Sequence, residues 1–248
     1  MSAVLVAGGA TGIGAAAVRT LRRRGDQVVL ADINAAAAEA LLRQDDHGPA
    51  WFVPSDFADP GAAAAVVDAA LARTGGVLDV VFYNAGILEA HDLGDWTVQA
   101  WARSLQVNLS TPFHLVQSAT PALRRSDAGR VILTSSTGAF RGHGGLHAYH
   151  ATKAGLLGLV RGLADELGPD RITVNAVCPG WIDTPFNEPF WNQQPDPDAA
   201  RRALEASIPL RRQGLPDDVT GLIVFLASDA SAYITGQALI VDGGYTAV

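Results

Sequence analysis

The chain has one cysteine, one methionine and, less expectedly, one lysine in 248 residues. A lone Cys178 excludes an intramolecular disulfide framework, and such cysteine usage implies a reducing, cytoplasmic setting. No apolar run approaches the roughly 20 residues that a membrane-spanning helix needs. Met1 to Leu5 carries no basic stretch ahead of its apolar residues, so no secretory leader is read there. Basic charge is scarce as well: 18 Lys and Arg face 25 Asp and Glu, a formal net charge of −7. That balance argues against a nucleic-acid partner, whose phosphates demand basic surface. One cysteine and scattered histidines show no zinc-ligand spacing, so no metal is expected.

What the chain does have is alternation. Short apolar, β-branched runs at 3–7, 27–31, 50–54, 78–83, 130–135, 172–178 and 237–241 are separated by longer alanine-rich stretches of helical character. Strands that are apolar without a two-residue period are strands covered on both faces. The pattern predicts an α/β fold: one domain over residues 1–248, with a doubly wound parallel seven-stranded sheet and helices on both faces. Such sheets bind ligands beyond the carboxyl ends of their strands, at the switch point. No linker or repeat divides the chain. Residues 183–215, rich in proline and aromatics at their start, read as an excursion that closes over a site.

The first predicted strand runs into Gly8-Gly9-Ala10-Thr11-Gly12-Ile13-Gly14 and then a helix. Glycines at 8, 12 and 14 let backbone turn tightly and approach a pyrophosphate at a helix N-terminus, where free N–H groups favour anions. Asp32 ends the second strand, where a carboxylate accepts from both adenosine ribose hydroxyls and repels a 2′-phosphate. Ala10, Thr11 and Ile33 supply no cation for such a phosphate, so the expected cofactor is NAD.

The lone lysine, Lys153, follows Tyr149 by four residues on a predicted helix, the spacing that puts both on one face. With four tyrosines in 248 residues, chance gives that coincidence about 4 times in 248. A cation near a phenol stabilises the phenolate and fits the tyrosine for acid–base work.

These residues, with the Asn84-Ala85-Gly86 turn, Asn108, Ser136, the Pro179-Gly180 segment with Thr184, and Asp242-Gly243-Gly244, fall in an order that resembles the short-chain dehydrogenase/reductase family along essentially the whole chain. The resemblance implies a Rossmann-type fold and a homotetramer. It also implies hydride transfer between NAD and a secondary alcohol or ketone. By position, Tyr149 would donate and accept the proton, and Lys153 would bind the nicotinamide ribose and lower the phenol pKa. Ser136, rather than Ser135, would hydrogen-bond the substrate oxygen, and Asn108 would hold a water linking the lysine to solvent. Gly8, Thr11, Gly12, Ile13, Gly14, Asp32, Asp56, Phe57, Asn84, Ala85, Gly86, Pro179, Gly180, Ile182 and Thr184 would line the cofactor. Two departures stand out: Ala7 and Tyr83 replace a common threonine and asparagine, which would loosen the glycine loop's anchoring to the fourth strand.

The substrate is least legible. Candidate wall residues are Glu89, His91, Arg141, His143, His147, Trp181, Phe186, Phe190 and Trp191, a mixture that suits a small polar molecule such as a polyol, sugar-derived alcohol or hydroxy acid, or else a cyclic alcohol. A biosynthetic 3-oxoacyl or other ketoreductase using NAD(P)H is the rival enzyme, and a non-catalytic NAD-binding regulator is the rival outside catalysis.

Overall fold

The computed structural model describes residues 1–44 and 47–248. In chain order its elements are β1 (Ala3–Ala7), α1 (Gly12–Arg23), β2 (Gln27–Asp32), α2 (Ala35–Gln44), β3 (Ala50–Pro54), α3 (Ala62–Arg73), β4 (Val80–Tyr83), α4 (Val98–Leu105), α5 (Thr111–Leu123), β5 (Arg130–Thr134), α6 (His147–Leu167), β6 (Thr173–Pro179), α7 (Glu188–Trp191), α8 (Pro197–Ser207), α9 (Pro216–Leu226) and β7 (Ala238–Val241). Among the described residues seven strands form one sheet in the order β3-β2-β1-β4-β5-β6-β7, every neighbouring pair parallel.

Side-chain alternation along these strands explains why they look uniformly apolar. Leu5, Ala7, Val29, Val81, Val131 and Val174 point to one face, beneath Val66, Leu115 and Leu156 of α3, α5 and α6. Val4, Val6, Val28, Val80, Phe82 and Ile132 point to the other, against Val18, Leu41 and Ile223 of α1, α2 and α9. Both faces are core, and each buried Val or Leu contributes about 1.5–3 kcal/mol. Arg24 ties the second layer together at its rim: Nη1 and Nη2 donate to Val224 and Ala227 carbonyls, and Nε lies 2.7 Å from the Asp26 carboxylate.

The predicted strands are found with shifted ends. β2 runs one residue further, to Asp32, while β4 begins at Val80 rather than at residue 78. Asp79, just before it, is bonded to both neighbouring strands through its backbone, and its carboxylate also accepts from the Ala3 N–H and the Ser126 hydroxyl.

Strand order reverses between β1 and β4, so the crevice where ligands bind must open above their carboxyl ends. The excursion after β6 covers that crevice. Its base is pinned where Ile182 bridges Gly214: Asp183 N–H donates to the Gly214 carbonyl and Gly214 N–H to that of Trp181. Among the described residues no helix is long and apolar enough to cross a membrane.

Candidate active site

The crevice is a cleft of about 610 Å³, running along the strand ends from Asp32, Asn34 and Asp56 to Ser136, Tyr149 and Lys153. Its floor is glycine because nothing else fits. A Cβ on Gly8, whose φ is +77°, would stand 2.4 Å from the Ala85 nitrogen, and one on Gly14 would lie 1.9 Å from the Gly8 oxygen. Thr11 is the extended N-cap residue of α1, yet its side chain makes no capping bond and the first turn carries no acid. The helix thus presents unmet N–H groups and its positive end to the cleft, which suits a pyrophosphate. Asp32 is partly used locally, Oδ2 accepting from Ala10 N–H and Oδ1 from Asn34 N–H, each at 2.9 Å. Each oxygen keeps a lone pair for a ribose hydroxyl. Asp56 lines the same end with Phe57, and its Oδ1 accepts from Ala58 N–H.

The loop is not loosened at Ala7 and Tyr83, contrary to the sequence expectation. Backbone does the anchoring instead: the Ala7 carbonyl accepts from both Asn84 and Ala85 N–H at 2.8 and 2.9 Å. The Asn84 side chain spans the gap, donating to the Gly8 carbonyl and accepting from the Thr134 hydroxyl. Tyr83 points the other way and donates to the Val107 carbonyl at 2.6 Å.

At the far end two adjacent serines have different jobs. The Ser135 hydroxyl is buried and donates to the Lys153 carbonyl at 2.8 Å, docking α6 on β5. The Ser136 Oγ instead accepts from Gly138 N–H at 2.9 Å and faces the Tyr149 hydroxyl. Burial pushes the Tyr149 phenol up to about 12, with Ser136 pulling it partly back. Burial also brings Lys153 down to about 8. The ammonium donates to the Thr134 carbonyl at 2.8 Å and stands 5.6 Å from the tyrosine ring centroid. Taken alone, then, the protein does not acidify its tyrosine as the i, i+4 pair suggested, because desolvation outweighs the hydrogen bond with Ser136.

Asn108 lies in a π-helical turn, Gln106–Ser110, between α4 and α5. The wider turn aims its amide at the Gly86–Ile87 backbone: Oδ1 accepts from Ile87 N–H at 2.9 Å, and Nδ2 donates to the Ile87 carbonyl at 3.0 Å. This clamp holds the Ile87 backbone, and one Oδ1 lone pair remains for a further donor. Ile13, Gly86, Pro179, Gly180, Ile182 and Thr184 also line the cleft, and Thr184 leans over Gly12, to 3.2 Å from where a Cβ would be.

Comparison with known proteins decides the family. Residues 8–246 match a family model described as enoyl-(acyl carrier protein) reductase. A probable galactose dehydrogenase of Rhizobium meliloti is 37% identical over 97% of this chain and 93% of its own length. The cis-4-hydroxycyclohexanecarboxylate dehydrogenase of Sinomonas cyclohexanicum is 36% identical over 98% and 96%. A solved short-chain dehydrogenase/reductase of Serratia marcescens superposes with a TM-score of 0.90 at 33% identity, covering 98% of this chain and 97% of that one. The chain belongs to the short-chain dehydrogenase/reductase family. It is an oxidoreductase acting on CH–OH groups.

The pocket wall of this dehydrogenase divides the residues expected there. Phe186 hangs over the cleft, its ring centroid 6.0 Å from that of Tyr149. His143, Trp181 and Arg141 line a second, smaller recess that shares Ser136, Tyr149, Gly180 and Asn187 with the cleft. Phe190 and Trp191 line neither; they stack behind Trp181 at 4.8 and 5.2 Å and support it. Glu89, His91 and His147 also line neither space. They gather with Trp96, whose ring meets His91 at 4.9 Å and His147 at 6.3 Å. Sequence reading missed His150, Asn187 and Tyr245. His150 Nδ1 pairs with the Gly138 carbonyl and Nε2 accepts from His143 N–H, both at 2.8 Å, which fixes the loop carrying Ser136. Its place next to Tyr149 was the one available signal.

Proposed function

We propose that the chain interconverts a small secondary alcohol and its ketone with NAD as the redox partner. One observation carries this reading: Ser136, Tyr149 and Lys153 converge at one end of a glycine-floored cleft whose other end presents Asp32. When bound, the dinucleotide would accept or supply the hydride and, in its oxidised form, add a positive charge that favours phenolate.

The protein's own part is position and proton transfer. Ser136 donates to the reacting oxygen in the manner of an oxyanion donor, and the Tyr149 hydroxyl takes or returns the proton of that oxygen. Lys153, held by the Thr134 carbonyl beside Gly86, offers its remaining N–H donors to the ribose next to the reacting ring. Asn108 keeps the Gly86–Ile87 segment in place under it. Residues 183–215, pinned at Ile182 and Gly214, act as the lid and carry Phe186 over the reacting carbon.

NAD is favoured over NADP because Asp32 stands where a 2′-phosphate would lie, while the lining cations, Arg103 and Lys153, belong to other parts of the cleft. The relatives named for galactose and a hydroxycyclohexanecarboxylate point to a polar or cyclic alcohol. A cytoplasmic homotetramer is the expected setting. In support, Gly158 and Gly162 leave open space on the outer side of α6, where a second helix could approach closely. The test is a steady-state panel of polyols, hydroxy acids and cyclic alcohols with NAD and with NADP, with solution mass measured alongside. NAD-dependent oxidation is expected; a preference for NADP, or no turnover with any alcohol, would overturn the reading.

A further inference from the structure

We propose that the small recess beside Tyr149 receives a carboxylate of the substrate, with Arg141 as its ionic partner. The inference rests on the redox reading above and narrows its substrate to an anionic hydroxy acid.

The recess holds about 40 Å³. At roughly 10–15 Å³ for each water-sized occupant, that is room for about three heavy atoms. A sugar ring or acyl chain does not fit, whereas a planar three-atom group does. Because Ser136 and Tyr149 line both spaces, whatever enters the recess belongs to the molecule whose hydroxyl lies between them.

Charge selects the group. Among the lining residues Arg141 is the one strong cation, and no carboxylate lines the recess. Some arginines of this acidic chain sit against acids, as Arg24 on Asp26 at 2.7 Å and Arg124 on Asp170 at 2.7 Å, and others, such as Arg22 and Arg125, donate to backbone carbonyls. Arg141 is of the second kind and adds a ring contact at the wall of the recess. Its Nη1 donates to the Tyr245 carbonyl at 2.7 Å, and its guanidinium carbon rests 4.3 Å from the centroid of the Tyr245 ring. These two contacts immobilise a long side chain. Among the described residues they leave Nε and Nη2 without a hydrogen-bond partner. A guanidinium ordered in advance, with an open edge and no counter-ion, is built for a two-oxygen anion. His143 adds polarity without a second charge: burial first, then His150 and Arg141, hold its pKa below the ordinary histidine value. The Tyr245 hydroxyl lies 3.4 Å from its Nε2, completing a polar wall around the open edge.

The test compares a 4-hydroxycyclohexanecarboxylate with its neutral primary amide under NAD, using the wild type, Arg141→Leu and Arg141→Lys. In parallel, the NAD-loaded protein is titrated with non-reactive cyclohexanecarboxylate by calorimetry. Arg141 is exposed, so in the wild type kcat/KM for the acid should exceed that for the amide by about tenfold, the scale of a hydrogen bond to a charged group that stays open to solvent. Arg141→Leu should bring that ratio to within about threefold, mainly through KM, with Arg141→Lys between the two. Equal turnover of acid and amide in the wild type, or a ratio unmoved by Arg141→Leu, overturns the proposal and leaves the redox reading intact. Saturable binding of cyclohexanecarboxylate that is lost in Arg141→Leu, with no alcohol oxidised at all, supports the anion site and sinks the redox reading instead. Neither turnover nor binding removes both.

Discussion

Replacing Ser135 and Ser136 one at a time should separate support from chemistry in two neighbouring residues of the same type. In Ser136→Ala the group facing the Tyr149 hydroxyl is lost, and the reacting oxygen keeps one donor instead of two. Removal of one such donor usually costs about 10²–10³ in kcat, or about 3–4 kcal/mol of barrier. In Ser135→Ala the loss is a buried neutral hydrogen bond to the Lys153 carbonyl. A bond of that kind contributes about 1 kcal/mol, and in a chain of 248 residues this lowers Tm by about 2–4 °C. Turnover should stay within about tenfold, because α6 remains held by its core residues Leu156 and Val160. The assays are initial rates at saturating NAD and thermal unfolding of both variants. Equal losses of kcat in the two, at wild-type affinity for NAD, would refute the assignment of roles.

Three other outcomes are expected. Tyr149→Phe should still bind NAD in a fluorescence titration but lose about 10²–10⁴ in kcat, the range for removing a general acid–base group; near-normal rates would take Tyr149 out of the mechanism. Asp32→Ala should weaken NAD and relax its preference over NADP, read as the ratio of the two kcat/KM values, and an unchanged ratio would mean the ribose is held elsewhere. Lys153 releases its proton near pH 8 in the folded chain and at its ordinary value of 10.5 when unfolded. Folded protein therefore binds fewer protons between those values, and stability attributable to Lys153 must rise with pH across that window. Measured by urea unfolding against Lys153→Met, the gain should be about 2 kcal/mol from pH 8 to pH 10. Tyr149, whose pKa is raised, opposes it only above about pH 10. A pH-independent difference between the two proteins would show that the ammonium is not desolvated.

Strands were legible because burial on both faces leaves a one-line signature, an unbroken apolar run. Their ends were not, since the bonds at the start of β4, between Asp79 and Ala3, span 76 residues of sequence. The glycine floor and Asp32 were legible for a related reason: steric exclusion at Gly8 and Gly14 permits a single residue type. Asn108 was visible as a polar residue in a helix, but the π turn that aims it at Ile87 was not, its contacts being with residues distant in sequence, Thr152 of α6 for Asn108 and Tyr83 of β4 for Val107. The wall residues were harder. His91 and His143 were both expected in the pocket wall, yet one turns toward Trp96 and the other toward Trp181, and composition holds no record of which way a loop folds back. The phenol was misjudged in direction for the protein alone: spacing reports that a cation is near, whereas the acidity also depends on how much water both groups have given up.

Tyr245, three positions before Val248, belongs to the wall of the recess beside Tyr149. For anyone preparing this protein, any change that removes Tyr245 would strip the Arg141 guanidinium of its platform. A tag at Met1 starts instead at the amino end of β1, opposite the carboxyl edge of the sheet that bears the cleft.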